Sequence, residues 1–497
     1  MKIKYLYAVL SGSLFALGFA PFSLWPLSIA SICFFMYLLE DLSIKQSFII
    51  SFFYGLGYWL CGISWVYVSI HYYGNIGIIG SSLITLLFVS CLSIYMGLFG
   101  SLYQYLSSSS NKDKILLFPA CWVLIEIIRG FLFTGFPWML AGTTISDTFL
   151  GGWISVIGAQ GNSLILMIFC GSLYVLIRYF KSPKPLLYSS VTIGIILSSS
   201  LIFRSINWTT PSYEIPVSVY QPNLTLNQKW SYEGVYITKK IIENSIKEAL
   251  ESELIVFPET ALIQNRSEIK DWVDYIDKEG KKKNVSILTG IIASNEDERT
   301  KNLIRNRIVG LGAANGSYDK KLLVPFGEFI PLERYTGKLL DIIGINLSNT
   351  IPGEHLTLIE STKLRISPSI CYEIAFSSLI NKTAAKSNIL VTISNDTWFG
   401  ASIGPEQHLQ LAKDRVLEHQ KPLLRSTNSG ISAIIDHKGN ILNRQGYFEE
   451  KTLKGKVVLQ EGYTPYNHLG NLIIYLYMGI IIFLNILINK TKVVLFK

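Results

Sequence analysis

Eight apolar runs constrain this 497-residue chain more than any other feature of its sequence. A helix of about 20 apolar residues crosses the hydrocarbon core of a bilayer. The runs lie at residues 5–20, 23–40, 47–69, 76–106, 115–134, 154–177, 185–204 and 470–489. Hydrophobic residues make up 49% of the chain and charged residues only 16%, which is too apolar for one soluble domain. We therefore expect a multi-span α-helical membrane bundle with eight transmembrane helices.

A long polar segment separates the seventh apolar run from the eighth. It is large enough to bury a core of its own, and short hydrophobic strands alternate in it with helical stretches. Strands are predicted at 215–220, 254–257, 285–293, 306–313, 363–370 and 389–394, helices at 234–250, 374–386 and 406–419, and a hairpin at 431–445. We predict a membrane domain with seven transmembrane helices at 1–205, an α/β catalytic domain at 206–468, and a last transmembrane helix with a tail at 469–497.

Lysine and arginine are unevenly distributed over the loops, and such residues collect on the cytoplasmic side of a membrane. If the N-terminus is inside, the outer loops near 21–26, 70–75 and 135–152 contain none of them. The inner segments contain Lys2, Lys4, Lys45, Lys112, Lys114, Arg178, Lys181, Lys184, Lys490, Lys492 and Lys497. Both termini are therefore predicted in the cytoplasm and residues 206–468 outside it. The alternative is a signal peptide cleaved near Ala20, which would remove the first span.

The net charge of +9 is partly this loop signal. Nucleic-acid binding requires a clustered basic face, and the sequence has none, so no nucleic-acid partner is expected. Within the fifth apolar run, Glu126 and Arg129 lie on one helical face. Charges are unfavourable in hydrocarbon, so these two are expected to pair with each other or to line a cavity.

The polar domain contains one cysteine, Cys371. It falls between the predicted strand 363–370 and the predicted helix 374–386, on a turn that can present a nucleophile. The alternative is an inert buried cysteine without a partner. A nucleophilic thiol needs a nearby base or a lowered pKa, because only a few per cent of a free thiol is ionised near neutral pH.

Two further residues complete a set for acyl transfer. Glu259 follows the strand 254–257, and strand ends in α/β folds carry reacting groups. Its carboxylate can take the thiol proton and return it to a leaving group. Lys320 is the candidate donor to a tetrahedral oxyanion. The alternatives are an acidic residue at a helix N-terminus for Glu259 and a solvated turn residue for Lys320. The sequence contains no metal-ligand spacing and no phosphate-binding loop, so no metal and no cofactor are expected.

These residues resemble a known family. Glu259 after Phe-Pro, Lys320 after Tyr-Asp, and Cys371 in Cys-Tyr-Glu look like the Glu-Lys-Cys triad of the nitrilase superfamily. The apolar runs and the motifs at 323–328, 370–373, 395–400 and 424–428 narrow the resemblance. Together they are similar to the bacterial apolipoprotein N-acyltransferases over essentially the whole chain.

The resemblance implies an αββα sandwich that faces the periplasm, in the inner membrane of a bacterium. Cys371 would attack the acyl ester of a membrane phospholipid, form a thioester and release a lysophospholipid. The N-terminal amine of a diacylglyceryl-cysteine on an apolipoprotein would then take the acyl chain. In that scheme Glu259 is the general base and acid, and Lys320 supports the oxyanion.

The resemblance also implies residues that support the site. Glu328 would help to hold it, and the other matching positions are Tyr372, Glu373, Trp230, Gly135, Phe136 and Trp138. The apolar residues within 329–353 form a connection that is long for a routine loop, and we expect either a membrane-dipping lid or a surface helix there.

Two rival functions remain open at this point. A membrane-tethered nitrilase-type amidase would share the triad and would transfer the acyl group to water. A transporter or receptor would use the bundle as a pathway, and the scarcity of charges in the spans argues against it.

Overall fold

A computed structural model describes residues 2–74, 76–108, 110–229, 231–248, 251–265, 269–294, 303–330 and 350–495. Trp230 and residues 331–349 of the predicted lid lie outside the described residues. The chain divides into two compact units. One comprises Met1–Ile206, Ser402–Gln410 and Leu469–Lys497, and the other comprises Asn207–Ala401 and Leu411–His468.

The first unit is helical. Four helical segments in the described part of the chain are long and apolar enough to cross a membrane, namely Ile78–Leu106, Asn111–Thr134, Gly151–Arg178 and Pro183–Ser205. Ile44–Gly62 and Trp65–Tyr73 meet that test together but are bent by 57° at a short break. Trp25–Leu38 and Leu472–Ile488 are apolar and shorter, and Lys2–Ala16 is a further helix. Four of the eight predicted transmembrane helices are thus supported, or five if the bent pair forms one span. The other predicted spans remain predictions.

The second unit contains two β-sheets. Its strands are β1 (Thr209–Gln221), β2 (Leu254–Val256), β3 (Leu262–Asn265), β4 (Ser286–Ser294), β5 (Ile304–Gly312), β6 (Ser317–Asp319), β7 (Ile359–Glu360), β8 (Arg365–Ile370), β9 (Ile389–Ser394), β10 (Leu423–Thr427), β11 (Ala433–Ile435), β12 (Ile441–Arg444) and β13 (Lys451–Gly462). Its helices are Leu226–Lys229, Tyr232–Glu248, Lys270–Lys283, Ser377–Ala384, Gly404–His419, which begins in the first unit, and Pro465–Leu469.

The two sheets share one plan. The order of the first is β13-β1-β2-β4-β5-β6, with β3 also paired to β4, and the order of the second is β12-β11-β10-β9-β8-β7. Parallel pairs lie in the middle of each sheet, and antiparallel strands flank them. The carboxyl ends of the parallel strands β2, β8 and β9 therefore carry the segments that contain Glu259, Cys371 and Asn395.

The two sheets pack face to face. Alternate residues of β2 point to opposite sides, as the period of two in a strand requires. Leu254 and Val256 join a core that also contains Ile366, Ile370 and residues of β9, β10 and β11 in the other sheet. Ile255 joins a second core, which contains residues of the helices Tyr232–Glu248 and Lys270–Lys283. A helical layer thus covers the outer face of the first sheet.

The alternation of strands and helices predicted this unit well. The predicted strands and the hairpin are present, although β1 begins at Thr209 rather than at residue 215, and the α/β class is confirmed. The strands β3, β6, β7, β10 and β13 were not predicted. The helix predicted at 374–386 begins later, at Ser377, because a 3₁₀ turn over Cys371–Ala375 comes first. Pro368 lies within β8, although proline has no backbone N–H to donate to a neighbouring strand. It is accommodated because β7 pairs with β8 only at Arg365 and Ile366 in the described ladder.

Ile366→Ala tests the packing between the sheets. Ile366 is fully buried between them, and removing such a side chain destabilises a core by about 2–5 kcal/mol. We expect a clearly lower thermal unfolding midpoint in detergent, followed by circular dichroism. The matched control is Leu442→Ala on β12, where the side chain is 52% exposed, and a change of less than about 0.5 kcal/mol is expected. Equal effects of the two substitutions would contradict the assignment of the core.

Candidate active site

Cys371 occupies the sharp turn that follows β8. Its backbone φ is +53°, in the left-handed region that non-glycine residues rarely adopt. Its side chain is partly buried against the core between the sheets. Strained backbone of this kind persists only where the surrounding structure fixes it, and it is frequent at active sites.

The carboxylate of Glu373 fixes this turn. The side chain is fully buried, and its Oε2 accepts a hydrogen bond from the backbone N–H of Ile370 at 2.8 Å. Its Oε1 accepts from the Tyr318 hydroxyl at 2.8 Å and from the backbone N–H groups of Lys321 and Leu322 at 2.7 and 3.1 Å. One side chain therefore ties the nucleophile turn to the segment that carries Lys320.

Glu259 lies just beyond the end of β2 and is buried. Its Oε1 accepts a hydrogen bond from Nδ2 of Asn306 at 2.6 Å, and its Oε2 accepts from the backbone N–H of Asn395 at 2.7 Å. Asn395 follows β9 in the other sheet. The carboxylate is thus held from both sheets, which fixes the direction in which it can exchange a proton.

Lys320 follows β6, and its ammonium group is bound by two carboxylates. Its Nζ lies 2.8 Å from Oε1 of Glu328 and 3.5 Å from Oε1 of Glu259. The lysine side chain is only 1% exposed, so the two carboxylates compensate a charge that is almost completely removed from water. Glu328 is held in turn by the backbone N–H of Val324, which donates to its Oε2 at 2.8 Å.

The charges act on one another in a consistent way. Burial lowers the pKa of Lys320, but Glu328 and Glu259 outweigh burial and raise this pKa above its ordinary value, so the amine stays protonated. Burial and the charge of Glu259 raise the pKa of the Cys371 thiol to about 12, against a lowering by Lys320. The resting thiol is therefore protonated, and attack by the sulfur would require a base to remove its proton. Glu259, Lys320 and Cys371 thus belong to one site.

Comparisons with known proteins agree with this geometry. Residues 11–172 match the model of the apolipoprotein N-acyltransferase N-terminal domain, and residues 217–464 match the carbon-nitrogen hydrolase model. An apolipoprotein N-acyltransferase of Photobacterium profundum is 32% identical over 488 residues, which cover 95% of this chain and 93% of that protein. Its counterpart in Haemophilus influenzae is 33% identical over 489 residues, which cover 95% and 92%.

The chain belongs to the apolipoprotein N-acyltransferase family. The resemblance predicted from its motifs is confirmed. The described part of the chain contains at least four apolar helices long enough to cross a membrane, and the protein is a bacterial membrane protein. The roles that the family resemblance assigns to individual residues, including Tyr372 and Trp230, remain predictions. Tyr372 is nearly buried and its ring packs edge-on against Phe376 at 5.0 Å, whereas Trp230 lies outside the described residues.

The other predicted positions, Gly135, Phe136 and Trp138, lie in the helical unit of this N-acyltransferase family member. Gly135 has a φ of +84°, and a Cβ there would lie 2.1 Å from the carbonyl oxygen of Gly130, so glycine is required. Arg129 Nη1 donates to the carbonyl oxygens of Phe136 and Trp138. The Trp138 indole is buried and donates to Oε1 of Gln407 at 2.8 Å.

Glu126 and Arg129 do not form an ion pair among the described contacts, although pairing was one expectation. Glu126 Oε1 instead accepts from the Trp122 indole at 2.9 Å and from the backbone N–H of Ala141 at 2.8 Å. Both side chains line a small cavity, which was the other expectation. These two buried charges therefore hold the backbone of the segment 136–141.

Sequence reasoning missed several residues of the site. Asn306 was assigned only to a strand, yet it binds Glu259 through its side chain. Lys229 was not predicted as a site residue, yet it is buried and its Nζ donates to the backbone carbonyl oxygen of Glu259 at 2.9 Å. In the helical unit, the contact of Gln407 with Trp138 carried no signal in the sequence either.

The alkylation rate of Cys371 reports on the charges around it. Because Glu259 raises the pKa of the thiol, Glu259→Gln should increase the thiolate fraction and speed up labelling by iodoacetamide several-fold at about pH 8.5. Lys320→Met should slow labelling, because Lys320 lowers this pKa. Peptide mass spectrometry measures the modified fraction with time. Glu253→Gln, which changes a partly exposed carboxylate just before β2, is the control, and equal labelling rates in Glu259→Gln and the wild type would contradict the electrostatic effect of Glu259 on the thiol.

Glu373 gives the stability of the fold a pH dependence. Burial raises its pKa to about 7, although hydrogen bonds from Ile370, Tyr318 and Lys321 lower it. The folded state therefore binds the proton more tightly than the unfolded chain does. This contribution to stability is fully present below the ordinary carboxyl pKa and is lost as the pH rises through about 7.

Thermal unfolding midpoints measured from about pH 4.5 to pH 8 check this dependence. Relative to the wild type, Glu373→Gln should show no loss of stability between the ordinary carboxyl pKa and about pH 7. At low pH its free energy of unfolding should be about 1–3 kcal/mol lower than that of the wild type, because its amide nitrogen faces backbone donors. Parallel pH profiles of the two proteins would contradict the prediction.

Proposed function

We propose that the chain N-acylates the N-terminal diacylglyceryl-cysteine of apolipoproteins, with a membrane phospholipid as acyl donor, as the last step of lipoprotein maturation. The carrying observation is the geometry of the site: the Lys320 ammonium lies 3.5 Å from Glu259, and Glu373 ties the turn of Cys371 to the segment that carries Lys320. The family membership and the apolar helices support a substrate drawn from a bilayer. The relatives carry the name of this activity.

In the first half-reaction, Glu259 takes the proton of the Cys371 thiol while the sulfur attacks the carbonyl carbon of the phospholipid ester. The Lys320 ammonium stabilises the negative charge that develops on the carbonyl oxygen. The carbon–oxygen bond of the ester then breaks, and Glu259 returns the proton to the leaving oxygen. A thioester on Cys371 and a lysophospholipid result. The raised pKa of the thiol supports transfer to a base during attack.

In the second half-reaction, the amine of the diacylglyceryl-cysteine attacks the thioester carbonyl. Glu259 accepts a proton from that nitrogen and delivers it to the departing sulfur, so an amide forms and the Cys371 thiol is restored. The same base serves both steps in this proposal. Its hydrogen bonds from Asn306 and Asn395 suit it to exchange a proton without changing its position.

Other residues are assigned to support. Glu328 holds Lys320 at 2.8 Å, and Glu373 fixes the turn of Cys371. Tyr372 and Trp230 are assigned to the substrate region by the family resemblance alone. Gly135, Phe136 and Trp138 are assigned by the same resemblance to substrate-binding or supporting positions in the membrane bundle.

The topology belongs to the same proposal. The membrane domain spans 1–205 with seven transmembrane helices, the catalytic domain spans 206–468 in the periplasm, and 469–497 form the eighth helix and a tail. Both termini are cytoplasmic. The absence of lysine and arginine from the loops near 21–26, 70–75 and 135–152 supports this orientation.

Mass spectrometry of the purified protein with phospholipid vesicles and no acceptor tests the proposal. The wild type should gain the mass of one fatty acyl group on the Cys371 peptide, with one lysophospholipid released per adduct. Addition of a diacylated lipopeptide should remove the adduct and yield the triacylated product.

Cys371→Ala should form no adduct, and Glu259→Gln should form it at least about 100-fold more slowly. A nitrilase-type amidase would instead leave the phospholipid intact and release ammonia or an amine from an amide. Intact lipid and an unmodified Cys371 in the wild type would exclude the proposed transferase.

A further inference from the structure

Lys229 is a second buried lysine next to the proposed general base. It ends the short helix Leu226–Lys229, and its side chain is only 4% exposed. Its Nζ donates to the backbone carbonyl oxygen of Glu259 at 2.9 Å, the one hydrogen-bond acceptor it has among the described residues. An ammonium group is unfavourable in a buried site when so little compensates its charge. A lysine at such a buried position is therefore a candidate for a functional role.

The carbonyl that Lys229 binds belongs to a strained turn. Thr260, the next residue, has a φ of +45°, which is rare for a β-branched side chain. Gly290 on β4 approaches the same peptide so closely that a Cβ would lie 2.5 Å from the Thr260 nitrogen and 2.8 Å from Cα of Glu259. A strained peptide persists only if its surroundings fix it. β4 restricts the peptide by contact, and Lys229 restrains its carbonyl oxygen by a charge-assisted hydrogen bond.

Lys229 is itself placed by the catalytic unit. The backbone N–H of Asn223 donates to the carbonyl oxygen of Asn428 at 2.7 Å, and Nδ2 of Asn428 donates to the carbonyl oxygen of Leu224 at 2.7 Å. The N–H of Lys229 donates to the carbonyl oxygen of Thr225 at 2.8 Å, which closes the helical turn. The lysine is therefore anchored to the end of β10 before its side chain reaches Glu259.

We propose that Lys229 is a positioning residue for Glu259. Its ammonium group anchors the Glu259–Thr260 peptide and so sets the direction from which the Glu259 carboxylate meets the Cys371 thiol. The inference rests on the proposed function, since it assigns Lys229 a part in the proton transfer that forms the thioester. A small displacement of a catalytic group can lower the rate of a step by about 100-fold, so such an anchor has a measurable effect.

The charge of Lys229 changes in a convenient pH range. Burial lowers its pKa to about 8, and Glu259, the charged group that faces it, opposes this. Above that pH the neutral amine is a weaker donor, so the anchor weakens and thioester formation should slow. The pKa values of Lys320 and Cys371 are raised, so neither group titrates there. Lys421 has a pKa lowered to about 8 by burial as well, and variants must separate the two lysines.

The experiment measures the single-turnover rate of thioester formation on Cys371 with phospholipid vesicles, from about pH 7 to pH 9.5. Lys229→Met removes the ammonium and keeps the length of the side chain. It should lower the rate about 10- to 100-fold, leave the lipid concentration at half-maximal rate unchanged, and show no fall near pH 8. Lys229→Arg keeps a charge, so it should recover most of the rate and move the alkaline fall to higher pH. Lys247→Met, at an exposed position on the helix Tyr232–Glu248, should match the wild type.

Several results would overturn the inference. One is a rate of thioester formation in Lys229→Met that equals the wild-type rate. Another is a decrease in this rate near pH 8 that persists unchanged in Lys229→Arg, which would assign the decrease to Lys421. If Lys229→Met does not fold, the profiles of the wild type and of Lys229→Arg decide alone, and a wild type with no fall up to about pH 9.5 contradicts the inference. If the wild type forms no thioester, the proposed function fails as well. Suppose instead that the wild type forms the thioester, that Glu259→Gln does not, and that Lys229→Met forms it at the normal rate. Only the role assigned to Lys229 is then wrong.

Discussion

The site depends on the buried ammonium group of Lys320. A charge removed from water is tolerated only when it is paired, and here Glu259 and Glu328 pair with it. Removing the lysine would leave both side chains without the positive charge that binds them. This single charge binds side chains from the end of β2 and from the turn at Val324–Glu328, and Lys320 itself follows the end of β6.

A second buried carboxylate gives the site its rigidity. Glu373 binds the N–H of Ile370 before the nucleophile and the N–H groups of Lys321 and Leu322 after the lysine. Glu259 repeats the device between the sheets by accepting from the N–H of Asn395. Backbone donors have few ways to move, so carboxylates held by them have well-defined positions. Both the turn of Cys371 and the side chain of Glu259 are in this way oriented by the main chain.

Much of this could be predicted because it depends on local pattern. Strand ends and apolar runs can be recognised in a single sequence, so the α/β unit, the apolar helices and the positions of Glu259, Lys320 and Cys371 followed from it. The contacts of Lys229 and Gln407 could not be predicted, because each joins residues far apart in the chain and neither side chain differs by type from a surface residue. The binding partners of Glu126 and Arg129 were out of reach for another reason. A sequence shows that buried charges need compensation but does not say whether a side chain or a backbone group provides it. The length and bend of each apolar helix are likewise set by packing, so the number of spans was less certain than their presence.

The burial of Cys371 has a chemical consequence beyond acyl transfer. Peroxide and disulfides react with the thiolate, and susceptibility to them follows thiolate character. A pKa raised to about 12 leaves almost no thiolate at rest, so the resting sulfur is protected from oxidation. A cysteine whose pKa were lowered in the resting protein would not have this protection.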